Sequence, residues 1–490
     1  MPAFSSEERQ LLDDSLRDLL ADKYTFEHQR KLARTDETDG FGRADWATYA
    51  EMGWLGIALP ESAGGSGGGA TELGIVMAAA GRYLLLAPFL GTLVLGATAI
   101  ERAGTPAQQA LLAGIVGGTR MLAFCHAEPD AGFARDYVRT IARRDGAGYV
   151  LDGEKSHAIA AHAVDTLVVS ARLGSANGPV ALFLVPRSAE GVRISPAPAL
   201  DGRRGAAVTL AGARVSADAK LGSGDADQTA LIGDILDRGA IAVCAEAVGA
   251  MAAVTQITVD YLKTRQQFGQ LLSKFQVLQH RLVDMSVTTE EARAIVHAAL
   301  QAIDDGNPDA RRAIWRAKVK TAQCARFVGG QAIQLHGGMG MTDELVVGHY
   351  YKRLAVCAEA VGAMAAVTQI TVDYLKTRQQ FGQLLSKFQV LQHRLVDMSV
   401  TTEEARAIVH AALQAIDDGN PDARRAIWRA KVKTAQCARF VGGQAIQLHG
   451  GMGMTDELVV GHYYKRLAMC ETLLGDAEWY LKQLAAEVTV

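Results

Sequence analysis

Apolar positions in the first 120 residues recur at helical spacing. Leu11, Leu12, Leu16, Leu19 and Leu20 line one stripe at i, i+1, i+5, i+8 and i+9, which predicts an amphipathic helix. A second helical run spans 75–86 after a glycine-rich loop. A third starts at Thr105-Pro106, with Thr105 as the cap and Pro106 in the first helical position. Between residues 121 and 220 the pattern changes. Short β-branched runs at 149–151, 166–169, 180–185 and 208–210 alternate with turn signals such as Asp152-Gly153, which predicts a small antiparallel barrel or sandwich. From Thr229 the helical period returns. Residues 242–264 read as a long Ala/Val-rich helix, and Leu278, Leu282 and Met285 share one face of the next. Asp304-Asp305-Gly306-Asn307-Pro308-Asp309 stops that helix and starts another. This last helix runs through Trp315 and Val319 to Gln334 and ends at Gly337-Gly338-Met339-Gly340. Trp315 and its counterpart Trp428 are expected in the core.

The C-terminal pattern occurs twice. Residues 242–354 read identically to residues 355–467. The unit is longer than a solenoid repeat, which runs to about 50 residues, and it has not diverged. The expected organisation is mostly α. It comprises an N-terminal helical domain (1–120), a middle β-domain (121–225), a helical bundle (226–354) and its copy (355–490), which a helix over 469–484 closes. A bundle of about four helices is already a complete core.

Composition narrows the function classes. With 490 residues, 49% hydrophobic and 21% charged, and a net charge of −3, nothing favours nucleic acid. The N-terminus lacks the charge pattern of a leader. The most apolar stretch, 84–95, contains Pro88 and Gly91 and is too short for a span, so no membrane partner and a cytoplasmic location are expected. Of six cysteines, Cys244 and Cys357 are one position in two copies, as are Cys324 and Cys437. The even count reflects copying rather than a disulfide framework, and no metal-ligand spacing occurs. His126 and His157 stand alone and are expected to be structural.

Two motifs carry candidate chemistry. Arg265-Gln266-Gln267-Phe268-Gly269, repeated at 378–382, sets a bidentate guanidinium beside an aromatic ring just past a helix. Such a fork can hold a pyrophosphate. Its plainer reading is a solvated arginine at a helix end beside a core phenylalanine. Gln334-Leu335-His336-Gly337-Gly338-Met339-Gly340, repeated at 447–453, offers glycines that let backbone N–H groups approach an anion. Its plainer reading is a glycine-terminated helix. A helix C-terminus is the wrong dipole end for a phosphate, so attraction would have to come from elsewhere.

Taken together, and with Phe275-Gln276 between them, these strings resemble the C-terminal domain of the acyl-CoA dehydrogenase family. Within it the chain looks most like the small subunits of pimeloyl-CoA dehydrogenases. Glu61, Gly64, Gly65 and Gly67, then Glu128-Pro129 with Gly132, and Asp152-Gly153-Glu154-Lys155 resemble further family segments. The resemblance implies FAD, held by Arg265, Phe268, Gln334, Gly337 and Gly338 and, in the second copy, by Arg378, Phe381, Gln447, Gly450 and Gly451. It implies α,β-dehydrogenation of an acyl-CoA thioester: a carboxylate removes the α-proton, a hydride passes to the flavin, and an electron-transfer flavoprotein takes the electrons.

Three positions depart from the family pattern. Aligning Tyr464-Lys465 puts Leu474 where the family carries its catalytic glutamate, with Gly475-Asp476 after it. Gly132-Phe133-Ala134 and His157-Ala158-Ile159 replace the usual flavin-side residues. Candidate replacements for the base are Glu246 with its copy Glu359, where burial in an apolar helix would disfavour the charged carboxylate and poise it as a base. Asp476 or a carboxylate of a larger partner subunit are the others. Glu246 also reads as a buried, hydrogen-bonded structural residue. A non-catalytic subunit that completes an FAD site, and an acyl-CoA oxidase or flavin monooxygenase on the same fold, are the competing readings.

Overall fold

The computed structural model describes residues 4–449 except 35–38, 130–134, 200, 268, 343, 358–370, 372–373, 376–377, 381–382 and 418–421. The chain divides into two compact units. The first comprises residues 1–129 and 135–358, the second residues 130–134 and 359–490.

The first unit begins with helices. α1 (Ser6–Lys23) is opened by a capping box between Ser5 and Glu8, which satisfies two otherwise orphaned backbone donors. It buries Leu12, Leu16 and Leu20, while Leu11 is exposed, so the apolar stripe is narrower than the sequence suggests. α2 (Phe26–Arg34) and α3 (Arg43–Glu51) follow. α4 (Ala70–Arg82) starts five residues before the expected run and stops at Arg82, because Leu84 adopts a left-handed φ of 53°. A π-helical stretch (Leu90–Gly96) leads into α5 (Ala97–Ala103). α6 (Pro106–Gln109) has the cap read from the sequence: Thr105 Oγ1 accepts from Gln108 N and Pro106 occupies the first turn. α7 (Leu112–Val116) completes the helical part.

The β-domain is one seven-stranded sheet of β1 (Leu122–Cys125), β2 (Ile141–Asp145), β3 (Gly148–Ile159), β4 (Thr166–Leu173), β5 (Val180–Pro186), β6 (Val192–Pro198) and β7 (Arg204–Ser216). The order is β1-β4-β2-β3-β7-β6, with β5 on β4. It is not antiparallel throughout: β4 pairs parallel with β1 and β2. Asp152-Gly153 is not a turn either. β3 runs straight through it with a register shift against β7, a β-bulge in which Gly153 takes φ 152°. A Cβ there would lie 2.7 Å from Thr140 Cα, so only glycine fits this bulge.

The bundle consists of α8 (Thr229–Thr264), α9 (Gln276–Asp304), α10 (Ala310–His336) and α11 (Val346–Cys357). α8 begins 13 residues before the run read from the sequence. Among the described residues it is the one helix long and apolar enough to cross a membrane, which the sequence reading missed, and 72% of its apolar window is buried inside the protein. α8 crosses α4 with the two backbones touching. A Cβ on Gly81 would lie 1.8 Å from Glu246 O, and one on Gly249 1.8 Å from Ala78 O. α9 ends where expected, at Asp304, and Gly306 takes φ 62°. The Asp304 carboxylate accepts from Ala70 N at 2.6 Å, Thr71 N at 2.9 Å and Thr71 Oγ1 at 2.5 Å. One helix end thus caps another helix's orphaned donors.

In the second unit, a hairpin of β10 (Gln379–Gln380) and β11 (Gln383–Leu384) precedes α12 (Gln389–Asp417) and α13 (Ala423–His449). These repeat the corresponding elements of the first copy. Leu375, Met398, Cys437, Val441 and Leu448 form their core. The expected closing helix over 469–484 lies outside the described residues. Cys125, Cys244, Cys324 and Cys437 are buried free thiols.

Candidate functional site

Arg265 is fixed by its backbone on both sides. Its N–H closes α8 on Tyr261 O at 2.9 Å, and its carbonyl accepts from Leu272 N at 2.9 Å. Between these bonds a two-residue hairpin, β8 (Gln266–Gln267) with β9 (Gln270–Leu271), turns at Gly269 with φ 80°. The chain then re-enters α9. The side chain emerges into a groove of about 670 Å³ lined by Tyr261, Arg265, Arg281, Gln334, Gly337 and Gly338, with apolar Leu272, Leu278 and Met339 beside them. Residues about 70 positions apart therefore meet at one place. Among the described residues no carboxylate pairs with the Arg265 guanidinium. Arg281 adds a second cation, steadied by Gln331 Oε1 at 3.3 Å.

The glycine end of α10 is open. Gly337 takes φ 60°, and a Cβ on Gly337 or Gly338 would meet nothing within 4 Å, so a ligand has free access to the backbone there. His336 is buried, interacts through Nδ1 with Ala332 O at 2.9 Å and stacks on Tyr261 with ring centroids 4.2 Å apart. Burial pushes its pKa down, so the ring is neutral at pH 7. The groove's charge is then that of its two guanidiniums.

The second copy reproduces this frame. Tyr374 and His449 stack at 4.2 Å, Arg378 N donates to Tyr374 O at 2.9 Å, and Arg394 reaches Gln444 at 3.3 Å. Phe268, Phe381, Glu359, Gly450 and Gly451 lie outside the described residues, as do Gly132-Phe133-Ala134, Leu474 and Asp476.

Glu246 is not a lone desolvated carboxylate. It is 1% exposed and accepts from Arg353 Nη1 at 2.5 Å and Arg203 Nη1 at 3.4 Å. Asp201 completes a buried quartet, with its carboxylate 2.7 Å from Arg203 and 3.0 Å from Arg353 Nε. Arg353 also donates to Leu85 O at 3.3 Å. Two positive and two negative groups therefore balance where the N-terminal helices, the sheet domain and the bundle meet. Burial opposes ionisation of Asp201, and Arg203 and Arg353 overcome it, holding its pKa at about 2.

Three family models match the chain: the acyl-CoA dehydrogenase N-terminal domain over residues 6–119, the middle domain over 123–211, and the C-terminal domain twice, over 229–354 and 350–489. The chain belongs to the acyl-CoA dehydrogenase family. Its members are oxidoreductases acting on acyl-CoA and are flavoproteins. Acyl-CoA dehydrogenase FadE12 of Mycobacterium tuberculosis is 33% identical over 352 residues, covering 69% of this chain and 88% of that protein. A probable acyl-CoA dehydrogenase of Bacillus subtilis, YngJ, is 30% identical over 69% of this chain and 90% of its own length. Among solved structures, the ChsE4-ChsE5 complex of Mycobacterium tuberculosis superposes with a TM-score of 0.65 at 26% identity, covering 77% of this chain and 100% of that one.

Several residues that the structure brings into these clusters escaped the sequence reading of this acyl-CoA dehydrogenase family member. Tyr261 and Arg281 line the groove but belong to no motif. Arg353 and Asp201 surround Glu246. Asp237, buried on α8, receives Arg311 at 2.8 Å and the Trp315 indole N–H at 3.0 Å and also pairs with Arg135. Trp315 is consequently not a core residue: it is 44% exposed, whereas Trp428 is buried. His126 is structural in its contacts. It joins Ser170 at 2.9 Å in a buried network where Lys155 Nζ meets Glu128 at 2.6 Å. His157 is exposed with a left-handed φ of 55° beside a second bulge of β3. No metal-binding cluster occurs among the described residues. A second cavity of about 390 Å³ between α4, α8 and α9 is lined by Leu73, Leu93, Val94, Ile241, Leu300 and Ile303 together with the charged Glu101, Arg102, Arg238 and Asp304.

Proposed function

We propose that this chain is an FAD-dependent acyl-CoA dehydrogenase subunit of a heteromeric enzyme, akin to pimeloyl-CoA dehydrogenase small subunits. In this reading the Arg265 groove grips the pyrophosphate and adenosine of the flavin nucleotide. The observation that carries it is the convergence of Arg265 with Gln334, Gly337 and Gly338 on one open groove, with no carboxylate on the guanidinium among the described residues. Arg265 and Arg281 supply the attraction that a helix C-terminus does not. The bare backbone of Gly337 and Gly338 lets phosphate oxygens come close, and Gln334 offers both a donor and an acceptor. FAD, when bound, supplies the hydride acceptor for α,β-dehydrogenation.

In the same reading the α-proton is removed by a carboxylate of a larger partner subunit. Both guanidiniums on Glu246 occupy the oxygens a proton would need, and Leu474 has no proton acceptor. Glu246 then serves to fix α8 against the sheet domain. Exposed Val277, Val283, Val287, Phe327 and Met339 on the bundle support a partner surface. The solved ChsE4-ChsE5 complex is a relative that pairs two different chains, and a chain from the solved structure of the electron transferring flavoprotein of Acidaminococcus fermentans is another structural neighbour, at TM-score 0.66 and 27% identity over 73% of this chain. Both support the assignment of a companion subunit and an electron-transfer flavoprotein as partners.

The test is anaerobic addition of acyl-CoA to the purified, flavin-loaded protein, alone and with its companion chain. Bleaching of the flavin with formation of a 2-enoyl-CoA only when the companion is present is the expected result. Bleaching by this chain alone returns the base to it, and peroxide formation on turnover in air favours an oxidase.

A further inference from the structure

The cavity of about 390 Å³ lies wholly within the first unit, between α4, α5, α8 and α9, and shares no residue with the Arg265 groove. Its volume falls in the range of about 300–1,000 Å³ of small-molecule sites. Leu73, Leu93, Val94, Ile241 and Leu300 give it an aliphatic body. Leu300 closes on Gly74, where a Cβ would lie 2.5 Å from its Cδ1. Four charged side chains share the lining, and they are paired unequally. Asp304 is spent, because its carboxylate already accepts from Ala70 N, Thr71 N and Thr71 Oγ1. Arg102 and Arg238 share one carboxylate, that of Asp234. Arg102 Nη1 donates to it, while Arg238 Nε lies 3.5 Å away without a hydrogen bond. Glu101 is exposed on α5, and among the described residues no cation pairs with it. The cavity therefore carries one positive charge in excess at the two guanidiniums and one negative charge at Glu101, over an aliphatic body.

We propose that this cavity is a separate ligand site that takes a small aliphatic α-amino acid as its zwitterion. The carboxylate completes the pairing of Arg238 and Arg102, the ammonium group meets Glu101, and the aliphatic side chain fills the body between Leu73, Ile241 and Leu300. Charge-assisted hydrogen bonds at both ends fix the orientation. Neither an acid nor an amine alone matches both charges: a bare carboxylate meets Glu101, and a bare ammonium group meets two guanidiniums. The bound amino acid joins α5, through Glu101, to α8, through Arg238. Because only the folded chain has this cavity, binding stabilises the fold by mass action. The inference does not depend on what the Arg265 groove binds.

Isothermal titration calorimetry of the full chain with L-leucine tests the site. Two analogues serve as comparisons: 4-methylpentanoate, which lacks the ammonium group, and 3-methylbutylamine, which lacks the carboxylate. One leucine per chain is expected, bound about tenfold or more tightly than either analogue, the effect of one charge-assisted hydrogen bond. Glu101→Gln should bring leucine down to the affinity of 4-methylpentanoate, and Arg238→Met should bring it down toward that of the amine. Melting temperatures of the ligand-free variants guard against misfolding. Glu101→Gln alters an exposed side chain, so it keeps the proposal testable even where Arg238→Met disturbs α8. The proposal is overturned by 4-methylpentanoate binding as tightly as leucine, by a leucine affinity that Glu101→Gln leaves unchanged, or by the absence of saturable leucine binding.

Discussion

The guanidinium of Arg353 and the carboxylate of Glu246, 107 residues apart, meet 2.5 Å from each other with no access to solvent. Arg203 and Asp201 close the cluster from the sheet domain. Arg353 belongs to the final helix of the first copy, so this contact ties the end of the bundle to its first helix and to the β-domain at once.

Removing that cation leaves two buried carboxylates with one guanidinium. Arg353→Met should lower the unfolding free energy by about 3–5 kcal/mol, the usual consequence of stranding a buried charge. Urea unfolding followed by circular dichroism measures it. The double variant Arg353→Met/Glu246→Gln should recover part of the loss, since one stranded charge is gone.

The same cluster makes the protein acid-sensitive. The folded-state pKa of Asp201 is about 2, below its unfolded value of about 3.8. Its contribution, about 2 kcal/mol, is therefore present above pH 4 and is lost as the pH falls toward 2. Melting temperatures of wild type and Asp201→Asn should differ by a constant amount above pH 5 and converge below pH 4.

His126 acts earlier on the pH scale. Burial, and then the neighbouring Lys155, push its pKa down to about 4. The unfolded chain takes up a proton near pH 6.5 that the folded one refuses, so stability falls as the pH drops from about 6.5 to 4, by up to about 3 kcal/mol. Imidazole NMR signals of the folded protein should show His126 neutral down to about pH 4. His126→Gln should flatten the stability profile over that range.

Where α4 and α8 touch, a methyl group has no room. Gly249→Ala should separate the two helices and destabilise the protein by about 1–3 kcal/mol or more, read as a lower denaturant midpoint. The altered α8 position should also disturb the Glu246 quartet.

What the sequence made legible was local. The Thr105-Pro106 start, the Asp304–Asp309 stop and the exact repeat are set by neighbouring residues, and the structure has them. The groove was half legible. Arg265 and the glycine cluster each carry a chemical signature, whereas Tyr261 and Arg281 become lining residues only once α8, α9 and α10 pack. The rest depends on contacts distant in the chain. Asp152-Gly153 has the composition of a turn, and only the neighbouring Thr140 makes it a bulge. Trp315 looks like a core residue, and its bond to Asp237 keeps it half exposed. Glu246 sits among alanines as an unpaired carboxylate would, and its partners come from residues 203 and 353.

The most direct test of the account is the FAD affinity of Arg265→Ala beside wild type, followed by quenching of flavin fluorescence at low salt, with melting temperatures recorded for both. A loss of about tenfold to a hundredfold at unchanged melting temperature is predicted. Equal affinity in the two proteins, or a wild-type chain that takes up no FAD, would contradict it.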